Sequence, residues 1–150
     1  MKDIQIVPMQ TKDNKVIIDI MNILADYFSP ETIEFAEEKI PNQAWFVAIK
    51  NNIIIWFITF ENLDKDKSKI YWMGVLPSYQ RQWIGGILLK HTENLLQKQW
   101  IKEIELLTLD EHPDYPGYLF TREFYKKHGF VVKSFYMEDD VKLLTMTKEI

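Results

Sequence analysis

The chain has 150 residues, no cysteine, and 47% hydrophobic against 27% charged residues, which excludes a disordered chain, a collagen-like repeat and a disulfide scaffold. Its net charge of -4, pI near 5.4 and lack of a basic stripe argue against nucleic acid as a partner. The start, Met1-Lys2-Asp3-Ile4-Gln5, lacks a signal peptide's apolar run, and the longest apolar stretch, Ile53 to Ile58, is too short to cross a bilayer. No membrane partner and a cytoplasmic location are expected.

Ile4, Ile6 and Val7 predict a short strand. Val16, Ile17, Ile20, Met21, Leu24 and Phe28 recur as one face of a helix. Ser29-Pro30-Glu31 marks a second helix start, because serine accepts from orphan amides, proline suits the first position and glutamate the positive end. That helix should run to about Ile40, before Pro41. Trp45 to Ile49 and Ile53 to Phe60 are β-rich runs across Lys50-Asn51-Asn52, a hairpin pattern. A charged loop from Glu61 to Lys69 precedes a third run, Ile70 to Leu76. The three runs are apolar on both faces, as in strands covered by helices on each side.

Ile84, Ile87, Leu88, His91 and Leu95 have the spacing of an amphipathic helix ending near Gln99. Ile104 to Leu109 reads as a strand, Leu119 to His128 as a helix closed by Gly129, and Phe130 to Tyr136 with Val141 to Thr147 as two last strands. No linker, low-complexity tract or fixed repeat interrupts residues 1–150, so they read as a single domain of mixed α/β class. Exposed edges of the terminal strands could pair two copies into a homodimer.

Between the third run and the strong helix lies Val75-Leu76-Pro77-Ser78-Tyr79-Gln80-Arg81-Gln82-Trp83-Ile84-Gly85-Gly86. A turn there aims backbone N–H groups and the positive end of the helix dipole at one place, which suits an anion. A glycine pair at a helix start serves a tight turn or close packing equally well. Neither the Walker nor the dinucleotide spacing is present.

That segment resembles the acetyl-CoA signature of the GCN5-related N-acetyltransferase (GNAT) family, Gln/Arg-x-x-Gly-x-Gly/Ala after a strand and before a helix. Phe124-Tyr125-Lys126-Lys127-His128-Gly129-Phe130 resembles the family's second hallmark, a tyrosine helix ending in Gly-Phe. Tyr118 to Tyr125 is similar to a branch with a Tyr-x-x-Thr-Arg-x-Phe-Tyr helix, and the element order is similar over nearly the whole chain. The resemblance implies the acyl-CoA N-acyltransferase fold, a central twisted mixed sheet flanked by helices. It further implies acetyl-CoA as co-substrate, its pyrophosphate on amides of Arg81, Gln82, Trp83, Ile84, Gly85 and Gly86, and its pantetheine arm on the backbone of Met73, Gly74 and Val75. Tyr125 matches the family's general acid. Trp83 departs from the pattern, standing where the family places its first glycine. It still offers an N–H but takes positive φ only at a cost.

The implied activity is direct acetyl transfer to a primary amine of a small molecule or protein, since no cysteine exists to carry a covalent acetyl group. The alternative is a degenerate, non-catalytic sensor of the same fold that binds CoA or another ligand. An attacking amine must lose a proton. The central strands, Tyr71 to Gly74 and Leu106 to Leu109, hold no carboxylate, which leaves Asp110, Glu111, His112 or water. His91 on an apolar stripe reads as a partly buried, hydrogen-bonded imidazole. His128, just before Gly129, suits the negative helix end. Scattered histidines without ligand spacing predict no metal. The acceptor is expected near the first two helices and the β-hairpin end, among Tyr27, Phe28, Trp45, Trp56 and Phe60, most of them core residues.

Overall fold

The computed structural model describes residues 3–8 and 14–150; Met1, Lys2 and residues 9–13 lie outside the described residues. Seven strands form a mixed sheet, β1 (Ile4–Pro8), β2 (Ala44–Lys50), β3 (Ile53–Asn62), β4 (Lys67–Val75), β5 (Glu103–Leu109), β6 (Val131–Glu138) and β7 (Val141–Glu149). Their order is β1-β2-β3-β4-β5-β7-β6. The flanking helices are α1 (Asn14–Ile23), α2 (Pro30–Lys39), α3 (Ile84–Lys98) and α4 (Tyr118–Lys127). This is the α/β architecture that the strand and helix spacings predict. The described residues gather into two compact units, one within Met1–Glu61 and Ile70–Asn94, the other within Asn62–Lys69 and Leu95–Ile150.

In the first unit, Ile17, Ile20, Met21, Leu24 and Phe28 enter one core with Trp45, Val47, Phe57 and Trp72. The apolar stripe is as expected, but α1 ends at Ile23 and the chain turns through Leu24 to Phe28. Asn22 Nδ2 donates to the Ile18 carbonyl at 3.0 Å, a side-chain bond that competes with helix continuation. The Ser29 hydroxyl accepts from the Thr32 amide at 3.2 Å and Pro30 opens α2. Asn51 and Asn52 take φ of 51° and 64° between paired Lys50 and Ile53, the double left-handed turn that tolerates asparagine. Four predicted pocket residues, Phe28, Trp45, Trp56 and Phe60, are at most 8% exposed, so they pack the interior and do not line an open acceptor pocket.

The second unit is built on β5, β7 and β6, antiparallel in register from Glu103↔Glu149 to Leu109↔Leu143 and from Val131↔Thr147 to Glu138↔Val141. The charged segment after β3 is shorter than the sequence suggests. The Leu63 amide donates to the Lys67 carbonyl at 2.8 Å and the Asp66 amide to Asp64 Oδ1 at 3.0 Å, which closes the turn within four residues. Lys67 Nζ lies 3.0 Å from both Glu103 Oε1 and Glu105 Oε2. Those bonds hold the Lys67 ammonium above its usual range and the Glu103 carboxyl below its own.

Candidate active site

In the first unit, β4 alternates half-buried and buried residues, so Met73 and Val75 are half-buried while Gly74 is buried. Glycine at 74 is a packing requirement. A Cβ there would stand 2.8 Å from Phe57 Cε1 and 2.9 Å from Leu24 Cδ1, too close for any side chain without movement. Beyond β4, the Leu76 amide donates to the Ile55 carbonyl at 2.9 Å, and a single 3₁₀ turn follows at Pro77–Tyr79.

Side chains then stitch the loop to its own backbone. Gln80 Nε2 donates to the Val75 carbonyl and Gln82 Nε2 to the Ser78 carbonyl, each at 3.1 Å. Two residues here adopt the left-handed region, Arg81 at φ 59° and Trp83 at φ 66°. The tryptophan therefore takes the conformation for which glycine is the usual choice, at a cost of about 1–2 kcal/mol. Its indole escapes crowding by lying outward, 72% exposed. The first helical bond of α3 runs from the Ile87 amide to the Trp83 carbonyl at 3.2 Å. The amides of Ile84, Gly85 and Gly86 precede it and have no acceptor within the helix. Three N–H groups and the positive dipole end meet there, a geometry suited to an anion.

In the second unit, α4 carries Tyr125 on a face shared with Arg122, one turn before it. Tyr125 is buried, with Phe124 and Phe130 edge-on to its ring at 5.3 and 5.4 Å. The helix ends in a Schellman turn. Gly129 at φ 93° donates its amide to the Lys126 carbonyl, and the Phe130 amide reaches back to the Tyr125 carbonyl at 3.0 Å. This gives a physical basis for the Gly-Phe pair: glycine supplies the left-handed residue, and phenylalanine caps the tyrosine ring. Burial, aided by the charge of nearby Tyr118, pushes the Tyr125 phenol well above its usual range, so it stays protonated at neutral pH.

Arg122 is the residue whose role the sequence conceals. Its guanidinium is buried and donates from Nη1 to the carbonyl of Leu109, the last residue of β5, at 2.8 Å. Asp110 follows at once, its amide bonded to the Lys142 carbonyl at 3.0 Å and its Oδ2 3.2 Å from Lys142 Nζ. The Glu111 amide, then Lys142 and the Arg122 charge, hold the Asp110 carboxyl below its usual range. Such a carboxylate is a weak base. His112 Nδ1 accepts the Asp114 amide at 3.2 Å, which in the neutral ring leaves the proton on Nε2 and the basic lone pair engaged. Glu111 is exposed. His91, expected to be partly buried, is exposed and edge-on to Phe46 at 5.0 Å. His128 stacks obliquely on Phe124 at 4.6 Å. Among the described residues no group of side chains is placed to hold a metal, and no helix is long and apolar enough to cross a membrane.

A mixed sheet with a bare helix N-terminus after its fourth strand and a capped tyrosine helix before its last hairpin defines an acetyltransferase-type α/β fold. The chain belongs to the GNAT acetyltransferase family: its acetyltransferase (GNAT) domain matches residues 41–132, more than half of the length. No curated protein matches it by sequence. Among solved structures it is similar to a candidate GNAT acetyltransferase from Desulfovibrio desulfuricans, at 15% identity and TM-score 0.86 over 97% of this chain and 98% of that one. It is also similar to a GNAT acetyltransferase from Elizabethkingia anophelis with acetyl-CoA bound, at 18% identity and TM-score 0.78 over the whole of both chains. The ribosomal-protein-S18-alanine N-acetyltransferase from Escherichia coli matches at 21% identity and TM-score 0.77, over 98% of this chain and 94% of that one. At these identities the likeness is one of fold.

Proposed function

We propose that residues 1–150 act as one catalytic domain that moves an acetyl group from acetyl-CoA directly to a primary amine of a small molecule or a protein. The observation that carries this reading is the turn before α3, where the Ile84, Gly85 and Gly86 amides stand without helical acceptors. Family membership and an Elizabethkingia anophelis neighbour with bound acetyl-CoA support acetyl-CoA as the substrate. Its pyrophosphate would accept from amides of Arg81 to Gly86, and its pantetheine arm would pair with the backbone of Met73, Gly74 and Val75. Backbone recognition of this kind tolerates Trp83, whose N–H is unchanged by its side chain.

The thioester supplies the acetyl carbon; the amine nitrogen forms a new bond there as the carbon–sulfur bond breaks. The proton of the amine passes to water, because Asp110 and His112 are engaged in their own hydrogen bonds. Tyr125 serves the departing sulfur. A phenol held above its usual range keeps its proton more tightly than a thiol of pKa near 8.5 does, so it stabilises the thiolate chiefly as a hydrogen-bond donor. Arg122 is a positioning residue that pins the Tyr125 helix to the end of β5.

A second reading, a CoA-binding sensor without turnover, is favoured by the engagement of both candidate bases. Calorimetric titration of the full chain with acetyl-CoA, followed by a panel of amines that includes peptide N-termini, separates the two. Binding with transfer that Tyr125→Phe slows supports the enzyme. Binding without transfer to any amine supports the sensor, and no binding defeats both.

A further inference from the structure

The acceptor still needs a place, because four of the residues predicted to line its pocket are packed in the interior. The segment that leads into the Tyr125 helix has the chemistry for it. From the end of β5 to the first residue of α4 the sequence repeats one pattern, His112-Pro113-Asp114-Tyr115 and then Tyr115-Pro116-Gly117-Tyr118. Each is a tight turn with proline at its second position. The Tyr115 amide donates to the His112 carbonyl at 3.1 Å, and the Tyr118 amide to the Tyr115 carbonyl at 3.3 Å. Proline fixes its own φ and restricts the residue before it, so the backbone sets where the three rings at the turn corners stand. Ring centroids lie 5.4 Å apart from His112 to Tyr115 and 6.4 Å apart from Tyr115 to Tyr118, with the two tyrosine planes at 87°. All three residues are half-buried.

Ring faces and charge select the ligand. From Asp110 to Thr121 the chain carries the carboxylates of Asp110, Glu111 and Asp114 and no lysine or arginine. Lys142 takes up Asp110, whereas Glu111 and Asp114 are exposed. Aromatic faces attract a cation within about 6 Å of the ring centre, and acidic neighbours draw it to the same place. A site that holds a cation also raises the pKa of an amine within it, which opposes the proton loss that attack requires. The charge held there is therefore not that of the reacting nitrogen. We propose that the His112, Tyr115 and Tyr118 rings bind the second, non-reacting ammonium group of a diamine acceptor, whose other amino group reaches the thioester beside Tyr125. This inference rests on acetyl transfer as the activity. Tyr118 and Tyr125 stand two turns apart on α4, about 10 Å along its axis, and helical side chains lean toward the helix start. A short aliphatic chain between two amino groups spans what is left.

Calorimetry of the full chain with CoA present measures amine binding apart from turnover. A terminal diaminobutane should bind about tenfold more tightly than the aminobutanol of equal length, which replaces the second ammonium with a hydroxyl. Tyr115→Leu should erase that preference, and Tyr115→Phe, which keeps the ring, should retain it, both with an unchanged circular dichroism spectrum. Thiol release from acetyl-CoA then reads transfer, and the diamine should show the lower KM. Equal affinity for the two amines overturns the proposal, and so does a preference that Tyr115→Leu leaves intact, since the charge would then be held elsewhere. Transfer to other amines but not to the diamine overturns the proposal alone and leaves the catalytic reading standing. Absence of transfer to every amine overturns the catalytic reading, and the diamine as acceptor with it.

Discussion

The turn before α3 and the corner where β5 meets α4 each have a role in the proposed reaction, yet they are made of different material. The first is backbone: amides at a helix start, held by two left-handed residues whose side chains, Arg81 and Trp83, are exposed. The second is side chain: a buried guanidinium on a carbonyl, a buried phenol between rings, a carboxylate clasped by lysine. Backbone recognition of the proposed kind would survive a change as large as glycine to tryptophan, with local strain as its cost. A side-chain corner offers no such latitude. Substitutions should therefore be costly at the corner and mild in the turn.

The largest expected effect is on turnover. Tyr125→Phe removes one hydrogen-bond donor and should lower kcat by about 10²-fold with the KM for acetyl-CoA nearly unchanged, as steady-state kinetics would read. A variant with natural kcat would remove Tyr125 from the chemistry. Next is Gly74→Ala, whose methyl meets Phe57 and Leu24; it should destabilise the fold by about 1–3 kcal/mol in urea titration. It marks where the backbone-built region loses its tolerance. Arg122→Ala strips the Leu109 carbonyl of its partner and should cost about 1–3 kcal/mol, with kcat falling more than KM rises. Arg122→Lys should recover part of both.

Trp83→Gly should act in the opposite direction and stabilise the protein by up to about 1 kcal/mol as the left-handed cost disappears, with acetyl-CoA affinity held or improved. Loss of affinity would mean that the indole itself takes part in binding. The smallest effect is pH-dependent. Asp110 titrates lower in the folded protein than its usual value of 3.8, so its contribution is present above that value and is lost as pH falls through the lowered one. Asp110→Asn should flatten the acid limb of stability below about pH 4 and leave neutral stability little changed.

Local signals were legible wherever one residue dictates one backbone conformation. Ser29 and Pro30 announced α2, Asn51-Asn52 the hairpin, and Gly129 the end of α4, each for steric or hydrogen-bonding reasons confined to a few residues. The glycine-bearing start of α3 was legible as a possible anion site for the same reason. Long-range pairings were not. That Arg122 reaches Leu109 depends on how α4 packs on β5, and that Asp110 meets Lys142 depends on the β5–β7 register. His91 fits an apolar stripe by spacing, yet that edge of α3 faces solvent beside Phe46. That every residue of β6 is exposed was not legible either, because sequence shows hydrophobicity but not what covers it.

The outward indole of Trp83 has an optical consequence. Of the five tryptophans, Trp45, Trp56 and Trp72 are at most 8% exposed, while Trp83 and Trp100 are 72% and 81% exposed. Fluorescence from this chain should thus divide into a blue-shifted, acrylamide-resistant fraction and a red-shifted, quenchable one. With Trp100 replaced by phenylalanine, the quenchable fraction would come from the residue that begins the α3 turn. An adenine nucleotide settling there would dim or shift that emission directly, a native dye at the proposed mouth of the cofactor site.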